Sequence, residues 1–253
     1  MHRLVLKLRN MKTYQALLVS GMLSLIVLIS SCGKDEKVVL DFKYDYFPVE
    51  IGDWVIYDVE TRVWDDIVGK DSKDVYQIKE LVESTFIDNA GRTTYRIERY
   101  KRTSVNNSWN LLNVWYSNKE KLTAERTEDN LRYLKLVFPP KLGVTWEGNK
   151  YIFTGTNNTV DLDYMKDWDY EYTEVDVPLT VGGLSFDSTL TVIQRDYANV
   201  IEKVSFEEKY ALHVGLIFKE TMHLKKQSVD IMWEDAPEGS TLLMTIFDYS
   251  NKP

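Results

Sequence analysis

The residues that could do chemistry in this chain are mostly carboxylates, with Asp and Glu together numbering 39. A glycoside hydrolase needs two of them at a set separation, with their environments pushing the two pKa values apart. Nothing in the spacing singles out such a pair. The densest run is Asp161-Leu162-Asp163-Tyr164-Met165-Lys166-Asp167-Trp168-Asp169-Tyr170-Glu171-Tyr172. Its alternate acids suit the oxygen-rich shell of Ca²⁺. The sharp-turn glycine of an EF-hand loop is missing, however, and Lys166 stands among the acids. The run therefore reads as a solvated loop entering a strand. His213 and His223 are too far apart along an extended chain to share a metal, and read as polar-face histidines. Gly-x-Ser-x-Gly, His-Glu-x-x-His, Gly-x-Gly-x-x-Gly and phosphate-loop patterns are all absent; Val68-Gly69-Lys70-Asp71-Ser72 lacks the upstream glycine of the last. No catalytic residue is assigned, and neither a metal nor a cofactor is expected. Trp64, Trp109, Trp115, Tyr116, Trp168, Tyr170 and Trp233 could stack on sugars or lipid, but large aromatics in a wide β fold belong mainly to its core.

The whole chain bounds what can position these groups. It has 253 residues, 44% hydrophobic and 28% charged, which is a globular composition. A net charge of −8 argues against nucleic acid, whose binding rests on clustered cations. The single cysteine, Cys32, excludes an internal disulfide and any zinc site needing two thiolates.

The front of the chain differs from the rest. Residues 1–31 hold Arg3, Lys7, Arg9 and Lys12 and no acid, then an apolar run from Ala16 to Ile29. That run is too short for a stable membrane span of roughly 20 residues and suits the apolar region of a signal peptide. Met11 offers a second start that gives a signal of more usual length. The run ends in Ile29-Ser30-Ser31-Cys32, which resembles the lipobox of bacterial lipoproteins. The resemblance implies that residues 1–31 are removed and that Cys32 becomes the acylated N-terminus. The remaining 222 residues carry 27 basic and 39 acidic side chains, a formal charge of −12. Anionic headgroups repel such a surface, so attachment to the membrane falls to the acyl chains. Gly33 at the next position, followed by Lys34, Asp35 and Glu36, resembles the signal that sends Bacteroidota lipoproteins to the outer face of the outer membrane.

After a tether over residues 32–45, apolar residues recur with period two, and strand-favouring Tyr, Trp, Val, Ile and Thr fill the runs. Leu134, Leu136 and Phe138 alternate with Lys135 and Val137. Leu216, Phe218, Met222 and Leu224 oppose Lys219, Thr221 and His223. Turn signals at Asp88-Asn89-Ala90-Gly91, Asn106-Asn107-Ser108, Gly148-Asn149 and Gly182-Gly183 separate the runs. The expectation is an all-β domain over 46–253: a strongly curved antiparallel sheet or barrel-like meander of about ten to twelve long strands, with at most one or two short helices. Lys121 to Arg126 and Ser205 to Tyr210 are open between a short helix and a distorted strand. Phe47-Pro48-x3-Gly52 before Trp54 echoes Phe138-Pro139-x3-Gly143 before Trp146. The echo suits two related halves closing one barrel, or else a common way of entering a strand.

These two blocks, with Tyr57, Tyr210-Ala211, Val214-Gly215-Leu216-Ile217 and Lys219-Glu220, resemble a widespread group of uncharacterised bacterial extracytoplasmic β proteins. Tyr95-Arg96-Ile97-Glu98-Arg99 and Asp187-Ser188-Thr189-Leu190-Thr191-Val192 resemble its Bacteroidota lipoprotein branch. The resemblance implies a curved sheet or barrel and brings no activity to particular residues. Asp187-Ser188-Thr189 also resembles the acceptor of Bacteroidota O-glycosylation, which implies a sugar on Ser188. Function divides into two classes. The first is a lipid-anchored, non-catalytic module binding an apolar small ligand, a glycan or an envelope protein. The second is a glycan-directed hydrolase with an unrecognised carboxylate pair. An apolar closed interior would favour the first, and a cleft with facing carboxylates, one of them protonated, the second.

Overall fold

A computed structural model describes residues 41–154 and 162–250. The signal segment, Cys32, Gly33, Lys34, Asp35, Glu36 and Asp161 lie outside the described residues. Twelve strands form one antiparallel sheet: β1 (Trp54–Asp65), β2 (Lys70–Ile87), β3 (Thr93–Arg102), β4 (Asn110–Lys119), β5 (Thr123–Glu128), β6 (Leu131–Val137), β7 (Thr145–Glu147), β8 (Asp169–Val181), β9 (Leu184–Ala198), β10 (Glu202–Ala211), β11 (Gly215–Lys225) and β12 (Glu238–Tyr249). Single 3₁₀ turns at Tyr44–Tyr46, Asp163–Met165 and Trp233–Asp235 are the helical elements among the described residues. The all-β expectation holds.

The strand order is β6-β5-β4-β3-β2-β1-β12-β11-β10-β9-β8-β7, so two six-stranded meanders join where β1 pairs with β12. Register shifts leave extra residues in β2, β4, β6, β8, β9, β11 and β12, and these bend and twist the strands. The sheet curls until its edges nearly meet. Leu134 N–H donates to Gly148 O at 2.8 Å and Trp146 Nε1 to Leu134 O at 2.9 Å. The Tyr172 hydroxyl accepts from Val137 N and donates to Val137 O. Side chains thus satisfy edge groups that would otherwise be open to another strand.

The two echoed blocks occupy matching places, since each leads into the first strand of a meander. Gly52 N–H donates to Val82 O, and Val82 N–H to Asp53 O; Gly143 N–H donates to Tyr172 O, and Tyr172 N–H to Val144 O. Both glycines have positive φ, at 99° and 74°. Of the two readings of the echo, this geometry supports related halves.

Both undecided stretches are strands. Lys121 to Arg126 falls largely in β5, and Ser205 to Tyr210 in β10; each runs unbroken opposite an extra residue on a partner strand, Lys135 for β5 and Gln194 and Ile217 for β10. Asp129 and Asn130, at φ 48° and 68°, make the two-residue β5–β6 turn. Short polar side chains tolerate that left-handed geometry without glycine. The tip of the β8–β9 hairpin, Gly182-Gly183, reaches β12, where a Cβ on Gly182 would stand 2.0 Å from Ile246 O. Gly183 has open space around it. In urea titrations Gly183→Ala should cost about 1 kcal/mol and Gly182→Ala roughly 2–4 kcal/mol. Equal losses would show that the hairpin tip does not pack on β12.

Candidate functional site

Where the curled sheet closes on itself, its interior is charged as well as apolar. Lys135 of β6 and Glu208 of β10 are far apart in the sheet order, yet their side chains meet at 2.8 Å. They are 3% and 1% exposed, which sets the contact across the interior. Lys135 Nζ also reaches Glu128 Oε1 at 2.8 Å. Lys219 of β11 bridges the same two carboxylates, at 3.2 Å to Glu128 and 3.1 Å to Glu208. The Tyr210 hydroxyl donates to Glu208 Oε2 at 2.6 Å. Beside this group, Glu80 of β2 accepts from Arg126 at 2.6 Å and from Arg99 at 3.0 Å, and Arg99 stacks 3.4 Å over the Trp115 ring.

Burial alone would raise the two carboxyl pKa values. The Lys135 and Lys219 ammonium groups overcome it, holding Glu208 at about 2 and Glu128 well below the usual carboxylate range. Burial would likewise lower Lys219, but Glu128 and Glu208 raise it. Burial and then the Glu208 charge push the Tyr210 hydroxyl up; burial and then Glu80 do so for Tyr57. These groups hold fixed charge states at neutral pH. A cavity of about 60 Å³ adjoins them, lined by Tyr57, Glu80, Arg126, Glu128, Lys135 and Glu208 among others. That is room for a few waters, well short of the roughly 300 Å³ or more of a small-ligand site.

Sequence reasoning missed this cluster because it assigned charge to the outer face. Leu134, Lys135 and Leu136 are all buried. Along β11, Ile217 is fully buried and Lys219 joins the ion pairs, while Phe218 and Met222 stay partly exposed. Apolar period marks the inner face only when that face is wholly apolar. One signal was available: Ile78, Glu80 and Val82 share a strand face, and all three are buried.

The aromatic residues divide. Trp115, Trp168 and Tyr170 are core. Trp64, Trp109 and Trp233 are half-buried, and each lies beneath a cation, Arg62, Arg102 and Lys226 respectively. Tyr116 is exposed and meets Phe86 edge-on. They form no single platform. His213 sits in the β10–β11 turn 3.5 Å from Asp45, whereas His223 bonds Glu202 at 2.9 Å and stacks on Tyr164. Among the described residues no group of three His, Cys, Asp or Glu side chains could hold a metal ion.

Ser188 lies within β9, its hydroxyl 2.7 Å from the Tyr46 hydroxyl and donating to Asp176 at 3.2 Å. The segment entering β1 is fastened here. Lys43 pairs with Asp176, Tyr46 OH donates to Asp176 at 2.8 Å, His213 N–H to Asp45 O at 2.7 Å, and Tyr44 OH to Lys121 O at 2.9 Å. A sugar on Ser188 would have to displace Tyr46 and Asp176 from its hydroxyl. The strap from Asp41 to Asp53 therefore crosses the end of the sheet carrying the β4–β5 and β10–β11 turns, the near end.

No family model matches the chain, and no curated protein matches it. Among solved structures, a Bacteroides fragilis protein described as exported and as having a YmcC-like fold is similar, with 9% identity and a TM-score of 0.40 over 81% of this chain and 98% of its own. A lipoprotein of Parabacteroides distasonis is similar over the same shares, with 11% identity and a TM-score of 0.34.

Proposed function

We propose that this chain is an envelope lipoprotein that acts by binding, without covalent chemistry. The observation that carries the second half of this reading is the interior ion cluster. A glycosidase keeps one carboxyl protonated near neutral pH beside an ionised partner. Glu128 and Glu208 are both held ionised by the same two lysines and have no room for a sugar ring beside them. The anchoring half rests on the basic start, the apolar run and Ile29-Ser30-Ser31-Cys32; Gly33 and Lys34-Asp35-Glu36 favour the outer-membrane surface. The small, charged cavity disfavours an apolar ligand held inside. Binding through the exterior, to an envelope protein or a glycan, is the reading that remains. The test incubates the domain with panels of glycans, peptides and esters, expecting no turnover. Turnover abolished by replacing one carboxylate or hydroxyl residue would overturn the reading and establish the hydrolase.

A further inference from the structure

Three successive turns at the far end of the sheet are apolar where turns are usually polar. The β1–β2 turn carries Ile67 and Val68, both 70% exposed; the β9–β10 turn carries Val200 and Ile201; the β11–β12 loop carries Val229 and Met232. Strand order makes them neighbours, and hydrogen bonds join them. Asp66 N–H donates to Pro237 O and Lys226 N–H to Ile201 O, each at 2.9 Å, and Trp64 Nε1 to Ala236 O at 2.8 Å. Between them runs a groove of about 330 Å³ with Ile67, Ile201 and Pro237 among its lining. Large hydrophobics clustered on a fixed surface mark an interaction site more than scattered ones do.

Charge decides the occupant. The tips and the groove between them bear Asp66, Glu202, Asp230, Glu234, Asp235 and Glu238 against Lys225 and Lys226, so acids predominate. Glu234 and Asp235 have no ion-pair partner among the described residues. An anionic lipid surface or a second copy of the chain would meet like charge. The strap also joins the sheet at the opposite end. Resting on the binding reading above, we infer that this far rim docks an envelope protein whose contact face is apolar and ringed by Lys or Arg.

The test uses the full acylated chain in neutral-lipid vesicles and hydrogen exchange. A leucine–lysine repeat peptide should protect residues 66–69, 199–201 and 228–235, and added salt should weaken the effect. Glu234→Gln with Asp235→Gln, or Ile201→Ser with Met232→Ser, should weaken binding about tenfold. The charge-matched control at the near end, Glu50→Gln with Glu120→Gln, should not. A leucine–glutamate peptide protecting equally, protection confined to the near end, or equal losses in the control would overturn the inference. So would tighter association of the rim with anionic vesicles or with itself. Turnover in the substrate panel would instead sink the binding reading while leaving the footprint intact.

Discussion

Glu208→Gln should destabilise the fold by about 3–5 kcal/mol, because it leaves Lys135 and Lys219 buried against Glu128 alone. For a domain of this size that lowers the melting temperature by roughly 6–20 °C. The cause is the uncompensated charge, so the loss should be largely reversed in the double variant Glu208→Leu, Lys219→Met, which removes one charge of each sign. Denaturant midpoints of the two variants separate this from simple loss of packing. A single variant within about 1 kcal/mol of the parent would mean water reaches the cluster. The same side chains set the response to acid. A carboxyl whose folded pKa is depressed contributes stability above its unfolded value, here 4.5, and loses it as pH falls through the folded one. For Glu208 the loss runs from about pH 4.5 down to about 2, with Glu128 continuing below. Glu208→Gln should therefore flatten stability against pH over that window.

Cys32→Ala should have the largest effect in cells, moving the protein wholly out of the membrane fraction or leaving its signal uncleaved. Two or more acyl chains at roughly 0.8 kcal/mol per buried methylene give stable anchoring, and nothing in an acidic surface replaces them. Labelled palmitate should enter the parent and not the variant. Label retained in Cys32→Ala would refute acylation at this residue. Alanines at Lys34, Asp35 and Glu36 should leave acylation unchanged and protect the domain from protease added to intact cells.

The fold was legible because strand alternation and turn residues are local. Gly182-Gly183 and Asp88 to Gly91 announce their hairpins, and about ten to twelve strands is the count that such punctuation gives. Asp129-Asn130 hid a hairpin because it lacks the glycine that usually marks one. The ion cluster was illegible for a different reason. Lys135 and Glu208 are joined across the interior of the curled sheet, and single-strand periodicity gives Lys135 the polar face. The apolar rim is likewise a fact of topology, since Ile67, Ile201 and Met232 become neighbours only once strand order is known.

The strap also decides how the domain carries load. A protein held at its N-terminus and gripped elsewhere feels tension first where Lys43 and Tyr46 meet Asp176, and then in β1. That strand has β2 on one side and β12 on the other. Pulling along it loads two ladders in shear, many hydrogen bonds at once, instead of peeling an edge bond by bond. The seam where β6 and β7 meet through a few contacts lies at the two ends of the strand order, so neither of the ladders that hold β1 crosses it.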